Sequence, residues 1–139
     1  MKAIIRADSS SNIGTGHIMR DLVLATQFDD VTFVTRDLPG NINFKIIEFG
    51  YSVEIIRDNS LSGFVKVIEK LSPNIVVIDN YSLDYDFERA FKEKYPDIKL
   101  MVLDDTYEKH YCDILLNHNI SADEDKYKNL VPEYCELRC

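Results

Sequence analysis

Five strand-sized apolar runs punctuate this chain: "KAIIRA" at 2–7, "VTFVT" at 31–35, "YSVEII" at 51–56, "NIVVID" at 74–79 and "IKLMVLD" at 98–104. Segments of helical character separate them, and this alternation implies βαβ units and a parallel sheet. Runs such as 75–78 are continuously apolar instead of alternating, as strands covered by helices on both faces must be. At 139 residues the chain has room for one hydrophobic core. The expectation is therefore a single doubly wound, Rossmann-like α/β domain over 1–139.

The clearest helix runs over 17–28, where Ile18, Leu22 and Ala25 share one face and Arg20, Gln27 and Asp29 turn outward. Further helices are predicted at 41–49, at 62–71 with Phe64, Val65, Ile68 and Leu71 inward, and at 84–95. The last two stop before Pro73 and Pro96, because the residue preceding proline avoids the helical region. "DILLN" at 113–117 reads as a sixth strand, and "HNISADEDKYKN" after it as loop or short helix. In a doubly wound sheet, ligands bind beyond the carboxyl ends of the strands, near the switch in strand order. The residues at those ends are Asp8 with Ser9, Ser10 and Ser11, Asp37, Asp58, Asp79 with Tyr81, Asp104 with Asp105, and Asn117 with His118. About half of them are expected only to end strands or cap helices.

Composition excludes several classes. The net charge is −8, from 16 Lys and Arg against 24 Asp and Glu, with no basic stripe, which disfavours nucleic acid as a partner. No apolar run approaches the roughly 20 residues of a membrane helix, and the N-terminus turns polar too soon for a signal peptide. Cys112, Cys135 and Cys139 form no CxxC pair, and neither His110 nor His118 has an HxxxH or HxH partner, so no metal site is expected. These features together predict a cytoplasmic protein with reduced thiols.

The loop "SSSNIGTGHIMR" stands apart from ordinary strand-end chemistry. Gly14 and Gly16 let the backbone turn sharply and let a ligand approach main-chain N–H groups, while the helix that follows directs its positive end at the same point. It is neither a dinucleotide fingerprint, since six residues separate Ala7 from Gly14 and Met19 fills the sixth position of the pattern, nor a P-loop, since the loop has no lysine. His17 sits in the first turn, where the positive helix end disfavours an imidazolium and leaves a neutral nitrogen able to take a proton. Arg20, one turn later, is placed to pair with Asp8 or another strand-end carboxylate, most simply as a structural ion pair. Tyr81 is a candidate to hydrogen-bond a ligand hydroxyl.

At "RADSSSNIGTGHIMRDLVLA" the chain closely resembles the UDP-sugar hydrolases of pseudaminic acid biosynthesis, which act on UDP-2,4-diacetamido-2,4,6-trideoxy-β-L-altropyranose. The resemblance continues through "VVIDNYSLD" and "LDDTYEKHYCDILLN" to "LVPEYCELRC". It implies the N-terminal half of a glycosyltransferase-B-type fold, with His17 as the base that activates water, attack at the anomeric carbon, and inverting loss of UDP without metal or cofactor. Asp79 and Tyr81 fall on the family's Asp-x-Tyr segment. With Ser10, Gly14, Thr15, Gly16 and Asp105 they make up the expected substrate-binding set.

The resemblance also implies a second, nucleotide-binding domain as intramolecular partner. This chain stops at Cys139, about where that domain would begin, so it is expected to be monomeric and nearly inactive alone. Two other readings stay open on the residues: a glycosyltransferase half that positions an acceptor hydroxyl instead of water, and a binding module without catalysis.

Overall fold

Strand order decides where a site forms in this architecture. In the computed structural model, which describes residues 1–139, seven strands form one sheet in the order β3-β2-β1-β4-β5-β6-β7, with every neighbouring pair parallel. They are β1 (Lys2–Ala7), β2 (Asp30–Arg36), β3 (Ser52–Ile56), β4 (Ile75–Asp79), β5 (Lys99–Leu103), β6 (Ile114–Leu116) and β7 (Glu136–Arg138). Four α-helices cross between them: α1 (Gly16–Ala25), α2 (Asn43–Glu48), α3 (Leu61–Leu71) and α4 (Tyr85–Lys94). This is the expected doubly wound parallel α/β fold. No helix is long and apolar enough to cross a membrane.

The continuous apolar runs are explained by burial on both faces. Ala3, Ile5, Phe33, Ile75 and Val77 pack with Ile18, Leu22 and Ala25 of α1 and Ile46 of α2. Their neighbours in the same strands, Ile4, Val34, Val76 and Ile78, pack on the other side with Phe64 and Ile68 of α3 and Phe91 of α4. Successive side chains of a strand point to opposite faces, so each needs its own apolar layer. On α3 the inward residue is Val67, buried, where Val65 was expected; Val65 is only half-buried, because Val67 shares the stripe of Phe64 and Ile68.

Helix ends follow local chemistry. The Ser60 side chain accepts from the Gly63 N–H at the start of α3, and the Asp84 side chain accepts from the Phe87 N–H at the start of α4. The start of α1 differs: Thr15 provides no side-chain cap. The polar stretch 118–129 holds one turn of 3-10 helix, Glu124–Tyr127, and Tyr127 within it is fully buried. The strand β7 was not anticipated from the sequence.

The chain runs β1, β2, β3 toward one edge and then returns through α3 to place β4 on the other side of β1. The switch point therefore lies between β1 and β4, where Ala7 is in register with Asp79. Phe91 is fully buried against Phe64 and Tyr95. Phe91→Ala is expected to lower unfolding free energy by about 3–5 kcal/mol, whereas Phe44→Ala, at a position 56% exposed, changes it by no more than about 0.5 kcal/mol. Urea unfolding of the two variants checks this, and equal losses would contradict the assignment of the core.

Candidate active site

The loop after β1 is shaped by its own polar groups. Ser10 is buried, and its Oγ accepts the N–H groups of Asn12 and Ile13 at 3.1 and 2.8 Å, while its backbone pairs with Gly14 in both directions. Gly14 has φ +86°, a left-handed conformation that side chains with a Cβ rarely adopt. Gly40, at φ +79°, lets the neighbouring loop close on Ser11; a Cβ there would lie 2.1 Å from the Ser11 Oγ. Around Gly16 the space is open, as it is around Gly14, and Thr15 is exposed. The Ser10 hydroxyl thus builds the turn, and the open side of the loop is formed by Gly14, Thr15 and Gly16.

Behind the loop lies a buried ionic network. Asp8 is 2% exposed and accepts from Arg6 Nη1 and Nη2 at 2.8 and 3.1 Å, from the Arg36 N–H and Nε at 2.8 Å each, and from Asn80 Nδ2 at 3.1 Å. Burial opposes its ionisation, but these donors outweigh burial and hold the carboxyl below its usual range. Asp8 is therefore saturated by Arg6 and Arg36. Arg20 was expected to pair with Asp8 or another strand-end carboxylate, and the structure pairs it with Asp79.

Asp79 ends β4 and is 1% exposed. Its Oδ1 lies 2.7 Å from His17 Nδ1, its Oδ2 accepts from Arg20 Nε at 2.8 Å, and Arg20 Nη2 also donates to Oδ1. Arg20 Nη2 stands 3.1 Å from the same His17 nitrogen. A guanidinium only donates and a carboxylate only accepts, so the proton on Nδ1 belongs between His17 and Asp79. Burial again opposes ionisation of Asp79, and the hydrogen bonds from His17 and Arg20 overcome it and lower the carboxyl below its normal range. With Nδ1 donating to Asp79, Nε2 is the nitrogen that carries the lone pair whenever the ring is unprotonated.

The ring borders a cavity of about 60 Å³ shared with Ile13, Asn80, Tyr81 and Ser82, enough room for a water molecule. Tyr81, 61% exposed, presents its ring edge-on to His17 with centroids 5.0 Å apart, and its hydroxyl donates to Asp105 Oδ1 at 2.7 Å. Partial burial and that bond to a carboxylate push the phenol up to about 12, so it acts as a hydrogen-bonding group near neutral pH. Asp105 also lies 3.9 Å from Arg20 Nη1. A second cavity of about 350 Å³ adjoins the first through Asn80 and Tyr81 and reaches Thr106, Lys109 and His110. The structure thus brings His17, Asp79, Tyr81 and Asp105 to one place at the switch point, with the glycine loop beside them.

Along its entire length the chain is similar to a curated sugar-nucleotide hydrolase. It is 40% identical over 139 residues to the UDP-2,4-diacetamido-2,4,6-trideoxy-beta-L-altropyranose hydrolase of Campylobacter jejuni subsp. jejuni serotype O:2, covering all of this chain and 49% of that protein. It is also 27% identical over 128 residues to the uncharacterized protein MJ1062 of Methanocaldococcus jannaschii, which covers 88% of this chain and 26% of that protein. The chain spans about half the length of the first relative and about a quarter of the second. No family model matches it.

A second histidine cluster escaped the sequence reading, which placed His110 in a polar turn. The side chain is buried: Nδ1 is 2.8 Å from Glu88 Oε2 and Nε2 is 3.0 Å from Asp104 Oδ1, while the Tyr127 hydroxyl donates to Asp104 at 2.6 Å. Burial disfavours a charged ring, but the bonds to Asp104 and Glu88 outweigh it and lift His110 to about 9. The same contacts bring Asp104 down to about 2 against the effect of burial. No local signal announces this cluster, since Glu88 and His110 lie 22 residues apart and no helical or strand period connects them.

His110 is raised in the folded state relative to an unfolded value near 6.5. Its stabilisation is therefore complete below about pH 6.5 and is lost as pH climbs toward 9, with a ceiling of about 3 kcal/mol. Thermal unfolding at a series of pH values should show this loss in the wild type and a flatter dependence in His110→Gln. A His110→Gln profile parallel to wild type would contradict the charged bridge.

Proposed function

We propose that these 139 residues are the water-activating domain of a UDP-sugar hydrolase whose substrate is UDP-2,4-diacetamido-2,4,6-trideoxy-β-L-altropyranose, acting in pseudaminic acid biosynthesis. The observation that carries this reading is the Asp79–His17 pair, with Nδ1 held against the buried carboxylate and the ring bordering a water-sized cavity at the switch point. The whole-chain similarity to the Campylobacter hydrolase supports the choice of substrate.

In this mechanism His17 Nε2 removes a proton from water as the oxygen attacks the anomeric carbon, and the bond from that carbon to the diphosphate oxygen breaks with inversion. The proton ends on His17, whose imidazolium is stabilised by Asp79, and UDP leaves carrying its own oxygen. Tyr81 and Asp105 form the wall against which the sugar rests, and Gly14, Thr15 and Gly16 allow its close approach.

The first relative is about twice as long as this chain. The 139 residues alone are therefore proposed to bind UDP weakly and to turn over several orders of magnitude more slowly than the protein with its second domain, since positioning of the reactants supplies much of the rate.

The test uses the longest reading frame that contains this chain, incubated with the UDP-sugar in ¹⁸O-water. The expected products are free sugar and unlabelled UDP, and His17→Ala is expected to reduce kcat by about 10²-fold or more. Label in the UDP, sugar appearing only on an added acceptor, or unchanged turnover by His17→Ala would each overturn the reading.

A further inference from the structure

Asp21 follows Arg20 on α1 and is one helical turn beyond His17. It was left unassigned by the sequence, where an aspartate in the middle of an amphipathic helix reads as a solvated residue. In the structure it is on the inward face of α1 with Ile18, Leu22 and Ala25, and it is 0% exposed. Neither carboxyl oxygen has a hydrogen-bond donor. The ionisable groups that act on it are the Asp79 carboxyl, at the end of β4, and Arg20 on its own helix.

An ionised carboxylate at this place has no donor to satisfy it and a second carboxylate beside it. Arg20 is already committed to Asp79 through Nε and Nη2. A buried charge without a partner is far more costly than a buried neutral acid, and of two adjacent carboxyls the less solvated keeps its proton. The acceptor count points the same way. A carboxylate offers about four lone-pair sites; Asp79 receives one proton from His17 and two from Arg20, which leaves one site for a donor from Asp21.

We propose that Asp21 is a positioning residue, held as a neutral carboxylic acid that donates its proton to Asp79 and so fixes the carboxylate that orients His17. It touches neither substrate nor reacting atoms in the proposed hydrolysis, and its catalytic consequence rests on that reading. Burial, with the Asp79 charge as the next contribution, pushes the Asp21 carboxyl up to about 10, in keeping with the geometry.

The consequence for stability has a definite sign. A carboxyl that stays protonated in the fold but ionises freely in the unfolded chain lowers stability as pH rises from about 4 toward its folded value. Asp21→Asn removes that titration while its amide keeps a donor for Asp79, and Asp21→Leu removes titration and donor together.

The experiment is carboxyl ¹³C NMR of the 139-residue chain, with the Asp21 signal assigned by its loss in Asp21→Asn. Its signal is expected to keep the protonated shift through pH 8. Asp21→Asn should leave the ¹⁵N shifts of the His17 ring as in wild type and should gain in Tm over wild type as pH is raised from 5 to 9, whereas Asp21→Leu should move the His17 shifts.

An Asp21 signal titrating below pH 6 overturns the proposal, as does an Asn variant that perturbs His17 as much as the Leu variant. So does a Leu variant that leaves His17 unmoved. Should the Leu variant fail to fold, the wild-type titration decides. None of these readouts needs turnover, so failure of the hydrolase reading and failure of this one are separable.

Discussion

A carboxylate buried at the end of a central parallel strand needs donors for its lone pairs, and Asp79 takes them from a single turn of α1, through His17 Nδ1 and through Nε and Nη2 of Arg20. The helix offers those two residues on one side because they lie three positions apart. The strand offers the carboxylate because β4 runs beside β1 at the switch point, and the chain leaves β1 through the glycine loop into α1. Orientation of the imidazole therefore follows from sheet topology, and the helix-end argument from sequence does not contain it. Remove the carboxylate and the ring loses the partner that assigns its proton to Nδ1.

Buried ion pairs of this kind are poor sources of net stability, because desolvation consumes most of the attraction between the charges. The apolar layers on the two faces of the sheet carry the stability instead. The charges collect at one rim: Asp8 with Arg6 and Arg36, Asp79 with Arg20 and His17, and Asp104 with His110 and Glu88. Each cluster ties the loop after one strand to an element distant in sequence. Their effect is to hold the loops at the carboxyl ends in one arrangement, which a site built on loops requires. Breaking one member would leave an uncompensated charge, so these clusters resist piecemeal change.

The strands were legible because burial on both faces writes itself as unbroken apolar runs, as in 75–78, and the helices because Ile18, Leu22 and Ala25 repeat at helical spacing. The short edge strand β7, Glu136–Arg138, was not, since three residues are too few for an alternating pattern to stand out. The placement of His17 and Tyr81 at the strand ends was legible from the glycine loop and from the end of a strong strand. The partnership of Arg20 with Asp79 spans 59 residues and arises only when two strands pair, so no local pattern announces it. The burial of Asp21 and His110 was hidden for the same reason: each is polar, each looks solvated along the chain, and each is enclosed by residues brought from elsewhere. Arg6 sits near the carboxyl end of β1 and fully buried because Asp8 and Asn59 supply acceptors for it.

The central claim is that, when the His17 ring is neutral, Asp79 keeps its proton on Nδ1 and leaves Nε2 as the proton acceptor. Two-bond ¹H–¹⁵N correlation spectra of the His17 ring, recorded at a pH where the ring is neutral, read that tautomer directly. The account predicts a protonated Nδ1 and an unprotonated Nε2 in the wild type, with that preference lost in Asp79→Ala. A neutral ring protonated on Nε2, or a tautomer indifferent to loss of the Asp79 carboxylate, would contradict it.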